Sequence, residues 1–129
     1  MKRIIFIFTV FLCLIINLNA QIKNITSLEA SDLLNKNHNF IVIDVRTVEE
    51  FKAGHIKGAI NINIKQSDAF SKIEKLDYKA KYIVYCRTAN RSKKAVDYMI
   101  SKGFTNIYHI TDGFIGWLRN GLPVQKLSE

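Results

Sequence analysis

Short apolar runs alternate with amphipathic stretches through most of the chain. Four of these runs are typical of buried strands, and they lie at residues 40–44, 59–62, 82–85 and 106–110. Because the stretches between them have helical spacing, we expect each strand to connect to the next through a crossover helix. The pattern predicts an α/β fold with a central, mostly parallel sheet and helices on both faces.

Residues that begin and end helices frame the stretches between the strands. Thr26 with Glu29, and Thr47 with Glu50, match the capping-box pattern of a helix start. Glycine is typical of the position where a helix ends, and Gly54 occupies such a position. Helices are therefore predicted at residues 27–35, 48–54, 67–76, 93–103 and 114–120.

The first twenty residues differ from the rest of the chain. Lys2 and Arg3 precede thirteen mostly apolar residues, 4–16, and Ala20 stands directly before Gln21. This is the layout of a cleavable secretory signal peptide. We expect residues 1–20 to be removed, residues 21–129 to form the domain, and the protein to be exported, with the periplasm as its destination. An uncleaved or lipidated anchor is the alternative, but a membrane span needs about 20 apolar residues, so no stable anchor is expected.

Charge and cysteine content narrow the function classes. The net charge of +8 comes from residues spread along the chain, which favours solubility and small anions and predicts no nucleic-acid partner. Of the two cysteines, Cys13 lies in the predicted signal peptide, and this leaves Cys86 alone in the domain. A lone cysteine in an exported protein indicates a reactive thiol or a bond to a partner chain, and a buried core cysteine is the plain alternative. No His, Cys or carboxylate pair has metal-ligand spacing, so no metal site is predicted.

Cys86 occupies the place where parallel α/β sheets bind ligands. It follows the apolar run 82–85 directly and begins a stretch without apolar period that ends at Ser92, which we call the Cys86 loop, residues 86–92. Backbone amides in such a loop form an anion cradle, and Arg87 and Arg91 add positive charge. Both features favour the thiolate over the thiol. We therefore predict Cys86 as nucleophile and, as substrate-binding residues, Arg87, Thr88, Ala89, Asn90, Arg91 and Ser92.

Three segments resemble the signatures of the rhodanese family. The Cys86 loop, CRTANRS, is similar to the active-site loop of that family. The N-terminal motif is matched by IDVR at 43–46, EF at 50–51 and GHIKGAINI at 54–62, and the C-terminal motif by DGFIGW at 112–117 and GLP at 121–123. The resemblance spans residues 21–129 and implies a rhodanese-like three-layer fold with a five-stranded sheet.

The resemblance also implies a sulfurtransferase that works through a covalent persulfide on Cys86 and needs no other cofactor. In that cycle the thiolate takes the outer sulfur of a small anionic donor such as thiosulfate. A thiophilic acceptor, cyanide or a thiol, then removes the sulfur. The physiological donor and acceptor stay open.

Two positions depart from the family pattern. The family often has glycine where this chain has Ala89, and a glycine pair where it has Asp112 and Gly113. If position 89 needs a positive φ, alanine there costs about 1 kcal/mol. Both departures leave the predicted catalytic atoms in place and are expected to tune the site.

Other polar residues are expected to serve the structure. Asp44 and Arg46 are predicted to form an internal ion pair that braces the loops, with substrate binding as the alternative. His55 is predicted to make a structural hydrogen bond, since a thiolate ionised by its loop needs no general base. His109 stands apart from any motif and is assigned no role.

Two other functions compete with sulfur transfer by free turnover. Cysteine-dependent phosphatases place five residues between the cysteine and the arginine of their loop, whereas four separate Cys86 from Arg91. The shorter loop makes a smaller cradle that suits a sulfur atom better than a phosphate. The other alternative is a persulfide-carrying binding or sensing module that acts on a protein partner with little free turnover.

Overall fold

Five parallel strands form one sheet, and the fourth strand along the chain lies at its centre. The structure is a computed structural model that describes residues 22–127. The strands are β1 (Ile22–Ile25), β2 (Phe40–Asp44), β3 (Ile60–Asn61), β4 (Lys81–Tyr85) and β5 (Asn106–Ile110). They lie in the order β1-β5-β4-β2-β3, and every pair is parallel. The predicted parallel five-stranded α/β fold is confirmed.

Among residues 22–127, four helices connect consecutive strands and a fifth follows the last strand, and the first two helices begin at the predicted capping boxes. The helices are α1 (Ser27–Lys36), α2 (Val48–Ala53), α3 (Ala69–Glu74), α4 (Asn90–Ser101) and α5 (Gly113–Arg119). Complete capping boxes join Thr26 to Glu29 and Thr47 to Glu50, as predicted. The prediction for α4 was wrong at its start: the helix begins at Asn90, so Arg91 and Ser92 already belong to its first turn.

The sheet separates two hydrophobic cores, because successive side chains of a strand point to opposite faces. Tyr82 and Val84 of β4 pack with α3 and α4 on one face, and Ile83 and Tyr85 pack with α1, α2 and α5 on the other. These four side chains are fully buried. A strand buried on both faces reads as a continuous apolar run, which explains why residues 82–85 show no alternation.

Sequence patterns did not predict β1. This edge strand has Lys23 and Asn24 exposed in its middle, and its partner β5 lies about eighty residues further along the chain. A four-residue strand with a polar middle carries no period, and its pairing with β5 depends on the tertiary fold.

The predicted signal peptide, residues 1–20, lies outside the described residues. Along residues 22–127, no helix combines the length and the apolar character that a membrane span requires.

A buried polar network joins β2 to β4 at the carboxyl edge of the sheet. Arg46 Nη2 donates to Asp44 Oδ2 at 2.7 Å and to the Gly54 carbonyl at 2.6 Å. Tyr85 Oη donates to Asp44 Oδ2 at 2.7 Å and accepts from the Ile56 amide at 3.0 Å. Burial, followed by the Asp44 charge, raises the pKa of Tyr85, so its hydroxyl remains a donor. The expected internal ion pair is present and braces the β2–α2 connection.

Replacing Tyr85 with phenylalanine is expected to lower the free energy of unfolding by about 2 kcal/mol. The change leaves the Ile56 amide without its acceptor and takes one donor from the buried Asp44 carboxylate. Urea unfolding followed by circular dichroism measures the loss. Tyr82→Phe is the matched control on the same strand, since its hydroxyl makes one bond, to the Asp77 carbonyl, near the surface. Equal losses in the two variants would contradict the role given to the network.

Candidate active site

The Cys86 loop begins at the carboxyl end of the central strand. β4 ends at Tyr85 and α4 begins at Asn90, so the connection itself is only residues 86–89. Cys86 is 1% exposed and packs with the apolar core on the α4 face. The sulfur is therefore held by the core, while Arg87, Thr88 and Asn90 of the loop are exposed.

Ser92 makes both polar contacts of the Cys86 sulfur. The Ser92 amide donates to Sγ at 3.3 Å, and the Ser92 hydroxyl oxygen lies 3.2 Å from Sγ. Within residues 22–127, the amides of residues 87–91 donate to no other protein group. An anion next to Cys86 can accept hydrogen bonds from these amides, which stand at the positive end of the α4 dipole.

The first turn of α5 holds the Cys86 loop from outside. The Phe114 amide donates to the Cys86 carbonyl at 2.8 Å, and the Ile115 amide donates to the Arg87 carbonyl at 3.1 Å. Gly113 has a φ of +61°, and a Cβ there would lie 2.2 Å from the Thr88 carbonyl oxygen. Only glycine allows this approach, so Gly113 belongs to the site, although sequence reasoning placed it only in the C-terminal motif.

Asp112 fixes the start of α5 against α1. Its carboxylate accepts from the Ser27 amide and from the Ser27 hydroxyl, both at 2.8 Å. A Cβ on Gly116 would lie 2.1 Å from Asp112 Oδ2, so glycine at position 116 leaves room for this carboxylate. The aspartate that replaces a family glycine is therefore a structural anchor of the helix that holds the loop.

Arg91, which we predicted as a substrate-binding residue, makes a two-pronged contact with Glu50 of α2. Its guanidinium donates to both Glu50 oxygens, at 2.7 Å and 3.0 Å. Chiefly because of these hydrogen bonds, the pKa of Glu50 falls to about 2, so the carboxylate stays charged at ordinary pH. The pair joins the start of α4 to α2. The capping box with Thr47 fixes the position of Glu50 at the start of α2.

Ala89 shows no strain. Its φ is −146° and its ψ is −9°. Because φ is negative, alanine does not incur the cost of about 1 kcal/mol that a positive φ would bring. Thr88 and Asn90 are exposed, and Ala89 is half-buried. These three residues follow Cys86 closely in the chain, so it is their backbone groups that they offer to a substrate.

Arg87 is exposed and borders a cavity of about 560 Å³ next to the loop. Arg46 and Lys126 also line this cavity, together with Glu50, whose charge is shared with Arg91. The excess of cationic groups attracts small anions toward the loop. The remaining wall is apolar and is formed by Ala53, Phe114, Ile115, Leu118 and Val124.

His109 was assigned no role from the sequence, yet it reaches the site from β5. Its Nε2 lies 2.6 Å from the Ser92 hydroxyl oxygen, and its side chain is buried. Burial is the main cause that lowers the pKa of His109, so the ring is neutral at neutral pH. His109 lies two residues after Ile107 on β5, so the two side chains share a face of the sheet, which is the face on which Cys86 packs. This alternation is the one sequence signal for its position.

His55 has the structural contacts predicted for it. Its Nδ1 lies 2.8 Å from the Phe51 carbonyl oxygen, and its ring stacks on the Phe51 ring at 3.8 Å. Across residues 22–127, no three His, Cys, Asp or Glu side chains are grouped so that they could hold a metal ion.

Comparison with known proteins finds a matching family model and several relatives. A family model described as a rhodanese-like domain matches residues 26–120. Thiosulfate sulfurtransferase 16, chloroplastic, of Arabidopsis thaliana is 35% identical over 106 residues, which cover 74% of this chain and 87% of that protein. The solved structure of a rhodanese-related protein from Thermoplasma volcanium is 32% identical with a TM-score of 0.69, covering 80% of this chain and 97% of that one.

One relative carries a different activity in its name. The tRNA uridine(34) hydroxylase of Buchnera aphidicola subsp. Acyrthosiphon pisum is 34% identical over 108 residues, which cover 78% of this chain but 33% of that protein. The chain thus spans about a third of this larger relative, whereas it spans most of the Arabidopsis protein.

Replacing Gly113 with alanine is expected to destabilise the fold more than replacing Gly121. The two glycines have nearly equal φ, +61° and +64°, but a Cβ on Gly121 meets nothing within 4 Å. Gly121→Ala therefore costs about 1 kcal/mol for the backbone conformation alone. Gly113→Ala adds about 1–3 kcal/mol because its Cβ overlaps loop carbonyl oxygens. Urea unfolding of both variants measures the difference, and equal losses would show that α5 does not clamp the loop.

Proposed function

The chain belongs to the rhodanese-like domain family, and on that premise we propose that it is a sulfurtransferase with a persulfide on Cys86 as its intermediate. The donor is a small anion with a transferable outer sulfur, such as thiosulfate, and the acceptor is cyanide or a thiol. Relatives named thiosulfate sulfurtransferase support this at the level of the family.

One observation carries the proposal: the Cys86 sulfur lies at the carboxyl end of the central strand, and the loop amides of residues 87–91 bond to no other group among residues 22–127. In the first step the Cys86 thiolate bonds to the outer sulfur of the donor. The sulfur–sulfur bond of the donor breaks, and sulfite leaves with the electron pair. In the second step the acceptor bonds to the outer sulfur of the persulfide, and the Cys86 thiolate is regenerated.

The residues of the loop divide the work in this cycle. The amides of residues 87–91 stabilise the charge of the donor and of the persulfide, which is the largest electrostatic contribution such a loop makes. Exposed Arg87 draws the donor into the cavity. Arg91 holds the start of α4 against α2 through its ion pair with Glu50, so the loop amides are in position before the donor arrives.

Two features of Arg91 favour sulfur transfer over phosphate hydrolysis. Four residues separate it from Cys86, one fewer than in the phosphatase loop. Its guanidinium already donates to both oxygens of Glu50, so the two-pronged contact that would hold a phosphate is occupied.

The burial of Cys86 favours a small acceptor over a protein partner. With Cys86 1% exposed, a persulfide extends the reactive sulfur only about 2 Å beyond Sγ. A small acceptor reaches that atom more readily than a protein thiol, which must enter on an extended segment. Free turnover with a small acceptor separates the enzyme from a persulfide carrier that acts on a protein partner.

We also propose that the protein is exported, on the basis of Lys2, Arg3 and the apolar run 4–16 that precedes Ala20. Protein produced in a host with a secretory pathway is expected to begin at Gln21 and to fractionate with the periplasm. Intact-mass analysis of the periplasmic fraction measures the start of the chain. Recovery of the full-length chain in the membrane fraction would contradict cleavage.

Cys86→Ser is expected to reduce thiosulfate-to-cyanide sulfur transfer to below about one thousandth of the wild-type rate, because the hydroxyl is a much weaker nucleophile. Wild-type protein treated with thiosulfate is expected to gain the mass of one sulfur atom at the Cys86 peptide and to lose it on addition of cyanide. Thiocyanate formation and peptide mass spectrometry measure the two effects.

Cys13→Ser is the matched control, since it removes the other cysteine and is expected to leave the rate unchanged. An aryl phosphate, tested on the same samples, is expected to give no useful hydrolysis. Wild-type turnover in folded Cys86→Ser would overturn the mechanism. One sulfur gained without turnover would support the carrier alternative.

A further inference from the structure

Three buried side chains form a hydrogen-bonded row from the loop into the sheet. The row runs from Cys86 Sγ to the Ser92 hydroxyl at 3.2 Å and from there to His109 Nε2 at 2.6 Å. All three residues are at most 5% exposed. The row therefore connects the sulfur to a titratable group that lies on another strand and outside the Cys86 loop.

The single hydroxyl proton of Ser92 has two acceptors within reach. The oxygen is 3.2 Å from the Ala89 carbonyl and 2.6 Å from His109 Nε2, and the imidazole is the nearer one. In the neutral tautomer with its proton on Nδ1, Nε2 accepts from Ser92, and a Cys86 thiol donates to the Ser92 oxygen. With an anionic sulfur, every bond reverses: protonated Nε2 donates to the Ser92 oxygen, and the Ser92 hydroxyl donates to Sγ.

We propose that His109 is a positioning residue that takes up the thiol proton of Cys86 through the Ser92 hydroxyl. The S–H bond of Cys86 breaks as an O–H bond forms on Ser92, and the original O–H bond of Ser92 breaks as an N–H bond forms at Nε2. One proton moves along the row and no oxidant or reductant takes part. The inference rests on the proposed function in that it assigns Cys86 as the nucleophile.

Glu50 neutralises the charge of Arg91, so the sulfur needs another source of positive charge, which His109 can supply. The sequence alone predicted that Arg87 and Arg91 would ionise the thiol without a base. Arg91 is instead paired with Glu50 at 2.7 Å, and Arg87 is exposed to solvent, where its field is screened. A protonated His109 supplies a positive charge that forms together with the thiolate and persists while the sulfur is anionic.

The surroundings of His109 suit a neutral resting ring. The charged groups that face it are Asp97 and Lys93 of α4, which pair with each other at 2.7 Å and act on the ring in opposite directions. The residues in register with it on the adjacent strands are Asn24 of β1 and Val84 of β4, and neither titrates. Because burial lowers the pKa of His109, the ring is neutral at rest and its Nε2 lone pair is free to accept a proton. The negative charge that forms on the nearby sulfur then favours the protonated ring.

The first test follows the pH dependence of Cys86 alkylation by iodoacetamide between about pH 5 and pH 9. The full chain is used, and the Cys86 peptide is quantified by mass spectrometry so that Cys13 does not contribute. His109→Gln keeps a group that can hydrogen bond to Ser92 but cannot take up a proton. We expect alkylation at pH 7 to be about tenfold slower in this variant, with the midpoint of the profile about one pH unit higher.

Two further variants calibrate that result. Ser92→Ala removes the link between the sulfur and the ring and is expected to slow alkylation in the same direction. His38→Gln removes an exposed imidazole far from the loop and is expected to superimpose on the wild type. A folded His109→Gln variant with the wild-type profile would overturn the proposal.

The second test needs no variant at position 109. Nitrogen NMR of the wild-type protein is expected to show His109 gaining a proton over the pH range in which the Cys86 thiolate forms, as coupled sites do. After Cys86 is alkylated, the ring is expected to stay neutral over that range. A His109 titration that is the same before and after alkylation overturns the proposal, even if His109→Gln does not fold.

Sulfur transfer from thiosulfate is measured on the same wild-type sample, so the two hypotheses fail separately. A coupled His109 titration without sulfur transfer refutes the proposed function and leaves the proton path standing. Sulfur transfer with an uncoupled His109 titration refutes the proton path and leaves the proposed function standing.

Discussion

The contact between the start of α5 and the carbonyls of the Cys86 loop determines the geometry of the whole site. The amides of Phe114 and Ile115 hold the carbonyls of Cys86 and Arg87. In a trans peptide the C=O and N–H groups point in opposite directions, so binding these carbonyls turns the amides of residues 87 and 88 away from α5. The contact requires glycine at position 113, where a Cβ would strike the loop backbone. A glycine outside the loop thus decides which backbone groups the loop offers to a substrate.

Two ion pairs secure the connections that surround this loop, and they differ in burial. The pair of Asp44 with Arg46 is almost completely buried, and Tyr85 and the Gly54 carbonyl satisfy the remaining hydrogen-bonding capacity. Such a pair fixes geometry more than it adds stability, because desolvation of the charges offsets their attraction. The pair of Glu50 with Arg91 is part-exposed, and it orients α4 relative to α2. Together they fix the loops that follow β2 and β4, where an anion would be bound.

The pair of Glu50 with Arg91 also lowers the positive potential at the Cys86 sulfur. An arginine in the loop raises the local positive potential only as far as its own counter-ion allows, and Glu50 is that counter-ion here. The sulfur then relies on nearby dipoles, the Ser92 amide and the α4 start, and on the neutral imidazole behind Ser92. In the proposed function, Cys86 is a buried nucleophile that depends on dipoles and on the proton taken up by His109. Such a group carries less permanent charge than one beside a free arginine, and it fits in an apolar core.

The sequence by itself determined the parts of this protein that depend on local interactions. Apolar runs, capping boxes and glycines act over a few residues, so the main strands, the starts of α1 and α2 and the position of Cys86 at a strand end were predicted, and the motif spacing indicated the family. The tertiary structure decided the rest: the edge strand β1, the pairing of Arg91 with Glu50 from 41 residues away, the clamp at Gly113 and the approach of His109 to Ser92. Each of these joins residues that are distant in sequence. Their partners are chosen by parallel register and by the packing of helices on the sheet, and no period or spacing along the chain encodes that choice.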